Sequence, residues 1–166
     1  MFNWEQNRTL AFRNLGYYPV FALKFFPYDN LKFITAGYQH MAVWRLTGNH
    51  LTCISFQKYE SQKVNLESTD PLKSVLVSFD FLNYKLGHDI QSDVIFGTSL
   101  GEITTYCSGK HFVLNENAHK STINCVIVSD KVNDAINIIT GGEDGFIKIW
   151  DTTITLLQSI NMRDVP

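Results

Sequence analysis

Three residues toward the C-terminal end of the sequence combine side chains used in nucleophilic catalysis. His119, Thr140 and Asp144 supply an imidazole, a hydroxyl and a carboxylate, and a histidine held between a carboxylate and a hydroxyl can activate that hydroxyl. The same groups can also satisfy one another inside a core, because a buried aspartate needs hydrogen-bond donors. Since the surrounding pattern favours strands rather than the strand-to-helix turn of a nucleophile elbow, we predict a structural role and no catalytic residue.

Other groups with reactive side chains are also better explained by strands and turns. Cys107 would be of interest as an exposed thiol of low pKa, but it follows Tyr106 at a strand end and is expected to be buried. His88 and Asp89 are adjacent on a polar stretch without further ligands, so the sequence predicts no metal site. The glycine-rich run 141–145 lacks the lysine of a P-loop and precedes no helix, which indicates a hairpin turn and no cofactor.

The composition indicates a folded chain and argues against nucleic acid as its partner. With 45% hydrophobic and 13% aromatic residues, the 166-residue chain can bury a core. A formal net charge of -2 lacks the basic excess that nucleic acid binding requires. Cys53, Cys107 and Cys125 match no disulfide or zinc spacing, which favours reduced thiols packed in strands and a cytoplasmic location. We also expect no signal peptide and no membrane span.

Apolar residues alternate at a two-residue spacing along most of the chain, which predicts strands in three successive sets of four. The predicted strands are 20–25, 31–36, 41–46 and 50–56, then 74–79, 93–96, 102–106 and 110–114, then 122–128, 135–140, 146–150 and 154–160. Trp44, Tyr106 and Trp150 fall on the third strand of each set, 62 and 44 residues apart. A period near 44 is typical of a four-stranded propeller blade, and the polar stretch 58–72 explains the longer gap as an insertion.

The last set closely resembles a WD40 repeat. The match runs from Ala118-His119-Lys120 through Thr140-Gly141-Gly142-Glu143-Asp144-Gly145 to Trp150-Asp151, with Ala118 where the family usually has glycine. The resemblance implies a β-propeller whose last blade is braced by a hydrogen-bonded network of His119, Thr140, Asp144 and Trp150. The other sets depart from it, with Gln39 near the aspartate position in the first set. In the second, Leu100 and Phe96 replace the aspartate and the hydroxyl residue, so those blades are expected to be held by packing.

The sequence therefore predicts an all-β fold, a partial β-propeller spanning residues 1–166. We assign residues 1–18 to the end of a preceding blade, with Trp4 and Glu5 ending its third strand and 8–12 forming its fourth. A blade with a polar insertion covers 19–72, a degenerate blade 73–117 and a well-formed WD40 blade 118–166. Because a closed propeller has about four to eight blades, the terminal blades should expose apolar faces through which the isolated chain dimerises or aggregates.

The looser motifs at 33–44 and 93–103 are similar to the atypical propellers of the echinoderm microtubule-associated protein-like family and related axonemal WD-repeat proteins. This resemblance implies a non-catalytic scaffold for protein partners, bound to microtubules or the axoneme in the cytoplasm, cytoskeleton or cilium. The alternative is a fragment of a larger WD40 scaffold in another cytosolic complex. A propeller enzyme is disfavoured, because the sequence offers no convergent ionisable groups beyond those of the blade network.

Propellers bind partners chiefly at one rim, where the turns between second and third strands meet the residues before each first strand. This family property assigns Tyr38, Ser99 and Glu143 as candidate partner contacts by their position. Tyr38 is the strongest of the three, because an exposed tyrosine offers an apolar face and a hydroxyl at little entropic cost.

Overall fold

The computed structural model describes residues 2–3, 8–9, 11–14, 17–27, 29–59, 75–82, 94–107, 110–129 and 136–164. In these residues the secondary structure consists of strands and one 3₁₀ turn at Met162–Asp164. The prediction of an all-β fold is therefore confirmed. Among the described residues, no helix has the length and apolar composition needed to span a membrane.

Twelve of the described strands form three four-stranded antiparallel sheets, which we call blades 1, 2 and 3. Blade 1 consists of β3 (Val20–Phe26), β4 (Asp29–Gly37), β5 (His40–Thr47) and β6 (His50–Lys58). Blade 2 consists of β7 (Leu76–Phe81), β8 (Val94–Thr98), β9 (Ile103–Cys107) and β10 (Lys110–Asn115). Blade 3 consists of β11 (Ile123–Val128), β12 (Ile138–Gly142), β13 (Phe146–Trp150) and β14 (Leu156–Asn161). In each blade, strands that are consecutive in sequence are paired, as short turns between alternating segments require.

A short antiparallel pair precedes blade 1. β1 (Phe2–Asn3) pairs with β2 (Arg8–Thr9), whereas Trp4 and Glu5 lie outside the described residues. The assignment of residues 1–18 to a preceding blade stays a prediction. So do the boundaries of the segments 19–72, 73–117 and 118–166, because most of the polar stretch 58–72 also lies outside the described residues.

The three blades share the same irregularities, which is strong support for an internal repeat. The first strand of each blade shifts register against the second near its start, between Val20 and Ala22, between Leu76 and Ser78, and between Ile123 and Cys125. Such a bulge bends and twists a strand. Its recurrence at the start of β3, β7 and β11 shows that the three sheets have one common geometry.

The turn between the second and third strand also repeats. One residue of this turn has a positive φ in every blade, 53° at Gln39, 75° at Gly101 and 81° at Gly145. The carbonyls of these residues accept hydrogen bonds from the backbone amides of Tyr59, His119 and Met162, at 2.8, 3.0 and 2.9 Å. Gln39 therefore occupies the glycine position, next to the aspartate position, of a turn that is one residue shorter than that of blade 3.

The blades stack through their inner strands, with β7 placed between β3 and β11. Trp44, Tyr106 and Trp150 lie on the third strand of successive blades, as the sequence predicts, and all three are buried. Asp80 on β7 connects the three blades. One of its carboxylate oxygens is 2.9 Å from Lys24 Nζ of blade 1, and the other accepts a 2.8 Å hydrogen bond from the Val128 amide of blade 3.

The terminal blades expose apolar side chains. Leu23 and Phe25 of blade 1 are 51% and 41% exposed, and Ile127 of blade 3 is 48% exposed. This confirms the expectation that a partial propeller leaves apolar surface open at both ends of the stack.

Candidate functional site

The four side chains of the predicted network in blade 3 are in contact. His119 Nδ1 lies 2.9 Å from Asp144 Oδ1, and His119 Nε2 lies 2.8 Å from Thr140 Oγ1. Trp150 Nε1 donates to the same Thr140 hydroxyl at 2.9 Å. Because a carboxylate only accepts, Nδ1 carries the proton and Nε2 accepts from the threonine. The donors then run in one direction, from Trp150 through Thr140 and His119 to Asp144.

The carboxylate of Asp144 accepts hydrogen bonds at both of its oxygens. Besides His119, it accepts hydrogen bonds from the Lys120 amide at 2.9 Å and the Phe146 amide at 3.2 Å. Burial raises the pKa of Asp144, but the hydrogen bonds from His119, Lys120 and Phe146 outweigh that effect and lower the pKa below 3.8. Thr140 is fully buried and His119 nearly so, so a substrate cannot reach the hydroxyl. The four side chains join the segment before β11 to β12, β13 and the turn between them.

Blade 1 retains half of this network. Trp44 Nε1 donates to Thr35 Oγ1 at 2.9 Å, and both side chains are buried. The pair occupies the positions of Trp150 and Thr140 in blade 3. Blade 1 is therefore held by this hydrogen bond as well as by packing, and the prediction of packing alone is wrong. A strand threonine nine residues before a strand tryptophan is the sequence signal that identifies the pair.

Blade 2 contains a different buried polar cluster. Tyr59 takes the place of His119, because its amide bonds the preceding turn in the same way, and its hydroxyl donates to Glu102 Oε2 at 3.1 Å. The Thr98 hydroxyl lies 3.3 Å from the same oxygen and also accepts from the Glu102 amide at 3.1 Å. All three residues are buried. The prediction that blade 2 is held by packing alone is therefore also wrong. The acidic residue of this cluster, Glu102, follows the turn glycine Gly101, whereas Asp144 of blade 3 precedes the turn glycine Gly145.

Tyr59 remains a donor under all ordinary conditions. Burial, followed by the nearby Glu102 carboxylate, raises the pKa of the Tyr59 hydroxyl. A Tyr59→Phe substitution is expected to lower the free energy of unfolding by about 2 kcal/mol, because it removes a donor to a buried charged group. Urea unfolding of this variant beside Tyr17→Phe, whose ring is 97% exposed, measures the difference. Equal stability of the two variants would contradict a bracing role for the cluster.

The three residues predicted to meet partners occupy equivalent positions on one rim of the stack. The amides of Tyr38, Ser99 and Glu143 donate to the carbonyls of Pro19, Val75 and Thr122, at 3.3, 2.9 and 2.9 Å. In each blade this hydrogen bond ties the turn after the second strand to the residue before the first. Tyr38, Ser99 and Glu143 therefore point to one rim, which we call the turn rim.

Contacts between neighbouring blades join the turn rim into a row. Tyr38 forms an isolated antiparallel bridge with Val75. The Val75 amide donates to Ser99 Oγ at 3.0 Å, and the Thr122 hydroxyl donates to the Ser99 carbonyl at 3.4 Å. Glu143 is exposed and Ser99 is half-buried. Tyr38 is half-buried, whereas the sequence predicts an exposed side chain. The bridge to Val75 covers part of this residue and fixes its backbone.

The turn that contains Ser99 matches a motif that sequence reasoning overlooked. Gly97-Thr98-Ser99-Leu100-Gly101 has the G-x-S-x-G form of a nucleophile elbow. In an elbow the serine ends a strand and begins a helix, whereas here it connects β8 to β9. Its hydroxyl accepts a hydrogen bond from the Val75 amide. The motif serves as a strand-to-strand turn.

No cluster of three or more histidine, cysteine, aspartate or glutamate side chains suited to a metal occurs in the described part of the chain. His88, Asp89 and the Cys107 side chain lie outside it, so their predicted roles stay predictions. Cys53 is half-buried, and Cys125 is exposed on β11. The expectation of thiols packed within strands is therefore wrong for Cys125.

Comparison with known proteins identifies the fold. No protein-family model matches the chain. Among solved structures it is similar to crystal structures of BBS1N in complex with ARL6DN, one soaked with lead and one with mercury. The TM-scores are 0.63 and 0.57, at 16% identity in each case. The fold is a partial β-propeller. The likeness covers 86% of this chain but only 45% and 44% of those chains, so this chain spans less than half of their length.

Proposed function

We propose that the chain is part of a non-catalytic propeller scaffold that holds a protein partner on the turn rim. The main support for this proposal is the row formed by Tyr38, Ser99 and Glu143, one residue from each blade. Hydrogen bonds and a β-bridge hold the backbone of this row in place. A row fixed in this way loses little conformational freedom on binding, so affinity is not spent on ordering it. The fold likeness to BBS1N, which was crystallised in complex with ARL6DN, supports a propeller of this kind as a platform for proteins.

The partner class that we propose is the microtubule or an axonemal assembly built on it, with a cytoplasmic, cytoskeletal or ciliary location. The basis is the similarity of residues 33–44 and 93–103 to the echinoderm microtubule-associated protein-like propellers. The test is co-sedimentation of the 166-residue chain with polymerised tubulin, with the pelleted fraction followed as tubulin is increased.

A Tyr38→Ala substitution is expected to weaken binding to polymerised tubulin by about fivefold or more, because aromatic anchors dominate interface energies. Glu143→Ala should also weaken binding, since Glu143 is the exposed end of the row. The matched control is His50→Ala, an exposed position at the start of β6, beside the turn between β5 and β6 at the opposite rim. Equal loss in all three variants would contradict the assignment to the turn rim.

The alternative is a scaffold in another cytosolic complex, which uses the same rim for a different protein. A chain that fails to pellet with polymerised tubulin would remove the microtubule and leave this alternative. In that case a partner recovered by crosslinking at the turn rim should lose binding with Tyr38→Ala and retain it with His50→Ala.

A further inference from the structure

A cavity of about 170 Å³ lies between blade 1 and blade 2, at the strand ends remote from the turn rim. Phe26 ends β3 and Val94 begins β8, and both side chains line the cavity. Three further lining residues belong to the core that the two blades share, namely Ile34, Val43 and Tyr106, which are 1%, 9% and 6% exposed. The cavity is therefore a feature of the contact between two complete blades.

The cavity has room for one compact apolar group. An apolar protein cavity of about 150 Å³ can hold a benzene molecule, so this slightly larger cavity can hold a ring or a branched alkyl group. Small-molecule sites in proteins are typically concave and mostly apolar, with a small number of polar groups that orient the ligand. This cavity has the same composition, because most of its lining is apolar and its polar side-chain groups are those of Lys32, Ser55 and Tyr106.

These three polar side chains have no polar partner among the described residues. In that part of the chain, neither the Ser55 hydroxyl nor the Tyr106 hydroxyl makes a hydrogen bond, and Lys32 forms no ion pair. The Lys32 ammonium instead lies 4.4 Å from the centroid of the Phe26 ring. This cation–π contact holds the ammonium beside a residue that lines the cavity, and it leaves the positive charge without a counter-ion.

The charge of the side chains around this cavity is positive. Lys32 is opposite Arg45 across β4 and β5, so the two cations are cross-strand neighbours. Arg45 is paired with Asp29 at 2.9 Å, which leaves the charge of Lys32 uncompensated by these side chains. Among the described residues, no acidic side chain lines the cavity. A carboxylate that enters the cavity can therefore pair with Lys32, and it can also accept hydrogen bonds from the hydroxyl groups.

We propose that this cavity binds a small organic acid, in which one compact apolar group carries one carboxylate. The apolar group packs against Ile34 and Val94, which is favourable because apolar surface leaves water, and the carboxylate pairs with Lys32. A free acid is favoured over a segment of a partner protein, because Ile34 and Val94 are each only 1% exposed and the ligand has to enter between the blades to reach them. The site shares no residue with the row on the turn rim.

Methyl NMR of the isoleucine-labelled chain tests the proposal, with phenylacetate and isocaproate as probes. The Ile34 and Ile54 methyl groups line the cavity, and their signals should shift with half-saturation at a few millimolar or below, as for other ligands of this size. The control in the same spectrum is Ile127 of blade 3, because Ile54 and Ile127 are similarly exposed, at 52% and 48%. A shift of equal size at Ile127 would show non-specific contact with exposed apolar side chains and would overturn the proposal.

A neutral analogue separates the contribution of the charge from that of the apolar group. Phenylacetamide has the shape of phenylacetate without its charge, so it lacks the ion pair with Lys32 and should bind about tenfold more weakly. Equal affinity for phenylacetate and phenylacetamide would overturn the proposal. So would the absence of a shift at Ile34 and Ile54 with both acids.

Substitutions at position 32 identify the group that binds the carboxylate. Lys32→Met should weaken the binding of phenylacetate by about tenfold and leave that of phenylacetamide nearly unchanged, whereas Lys32→Arg keeps the charge and should retain most of the affinity. The matched control is Lys58→Met, at the exposed end of β6, which should bind as the wild type does. The methyl spectra without ligand show whether each variant is folded. Equal changes for acid and amide in Lys32→Met would contradict the pairing of the carboxylate with Lys32. None of these outcomes depends on binding at the turn rim.

Discussion

A His111→Phe substitution is expected to make the folded chain less sensitive to acid. We expect the free energy of unfolding to fall on acidification, and to fall by about 3 kcal/mol less in this variant than in the wild type. Both ring nitrogens of His111 are buried and have no hydrogen-bond partner among the described residues. The ring is surrounded by Tyr59, Phe96 and Tyr106, with centroids 5.1, 5.8 and 5.1 Å away. Burial lowers the pKa of His111 from 6.5 to about 4, because the charged imidazolium is poorly solvated there.

The sign of the effect follows from proton binding. Between pH 6.5 and about 4 the unfolded chain binds a proton at His111 that the folded chain does not, so stability falls as the pH falls. One pKa unit corresponds to about 1.4 kcal/mol, which gives about 3 kcal/mol over this interval. Urea unfolding at several pH values measures the slope in the wild type, in His111→Phe and in the exposed-site control His50→Phe. A slope unchanged by His111→Phe would show that water or an acceptor reaches the ring in solution and removes the effect of burial on its pKa.

The position of His111 illustrates which features the sequence does not predict. Alternation places this residue on a strand, and the strand prediction for 110–114 agrees with β10 (Lys110–Asn115). Its burial depends on Tyr59, which lies 52 residues earlier in the chain and reaches it only because two blades stack. The alternation of apolar residues predicts a single strand and its two faces. It does not predict a contact between residues 52 positions apart in the sequence.

The repeat itself was predictable because each copy retains an aromatic residue at a fixed place. Trp44, Tyr106 and Trp150 determine the register of the three blades, once the polar stretch 58–72 is treated as an insertion. The hydrogen-bonded groups were predictable only in blade 3, where the sequence resembles a WD40 repeat. In blade 2 the functional equivalents are Tyr59 and Glu102, of different residue types and, for Glu102, on the other side of the turn glycine, so no pattern of letters identifies them.

The exposure of the side chains on the turn rim is another feature that the sequence does not predict. The sequence places Tyr38, Ser99 and Glu143 in equivalent turns, and the three backbone hydrogen bonds put them on one rim. Tyr38 and Ser99 are half-buried and Glu143 is exposed, and Val75, the residue before the first strand of blade 2, contacts both Tyr38 and Ser99. The degree to which a turn side chain is free for a partner is determined by the neighbouring blade.

The second large effect is expected at Asp144. An Asp144→Ala substitution should lower the free energy of unfolding by about 2 to 3 kcal/mol, because it leaves the buried His119 imidazole and the amides of Lys120 and Phe146 without their acceptor. Asp144→Asn keeps one acceptor oxygen and should lose less. The adjacent exposed residue provides the control, since Glu143→Ala should leave the unfolding midpoint nearly unchanged.

The pH dependence of the Asp144 effect separates a bracing role from general damage to the fold. The lowered pKa of Asp144 means that its contribution to stability is fully present above about 3.8 and is lost as the pH falls through the folded value. The difference between wild type and Asp144→Ala should therefore be largest near neutral pH and shrink in acid. A difference independent of pH would assign the loss to the missing atoms alone, and a difference near zero at neutral pH would remove the network as a source of stability in blade 3.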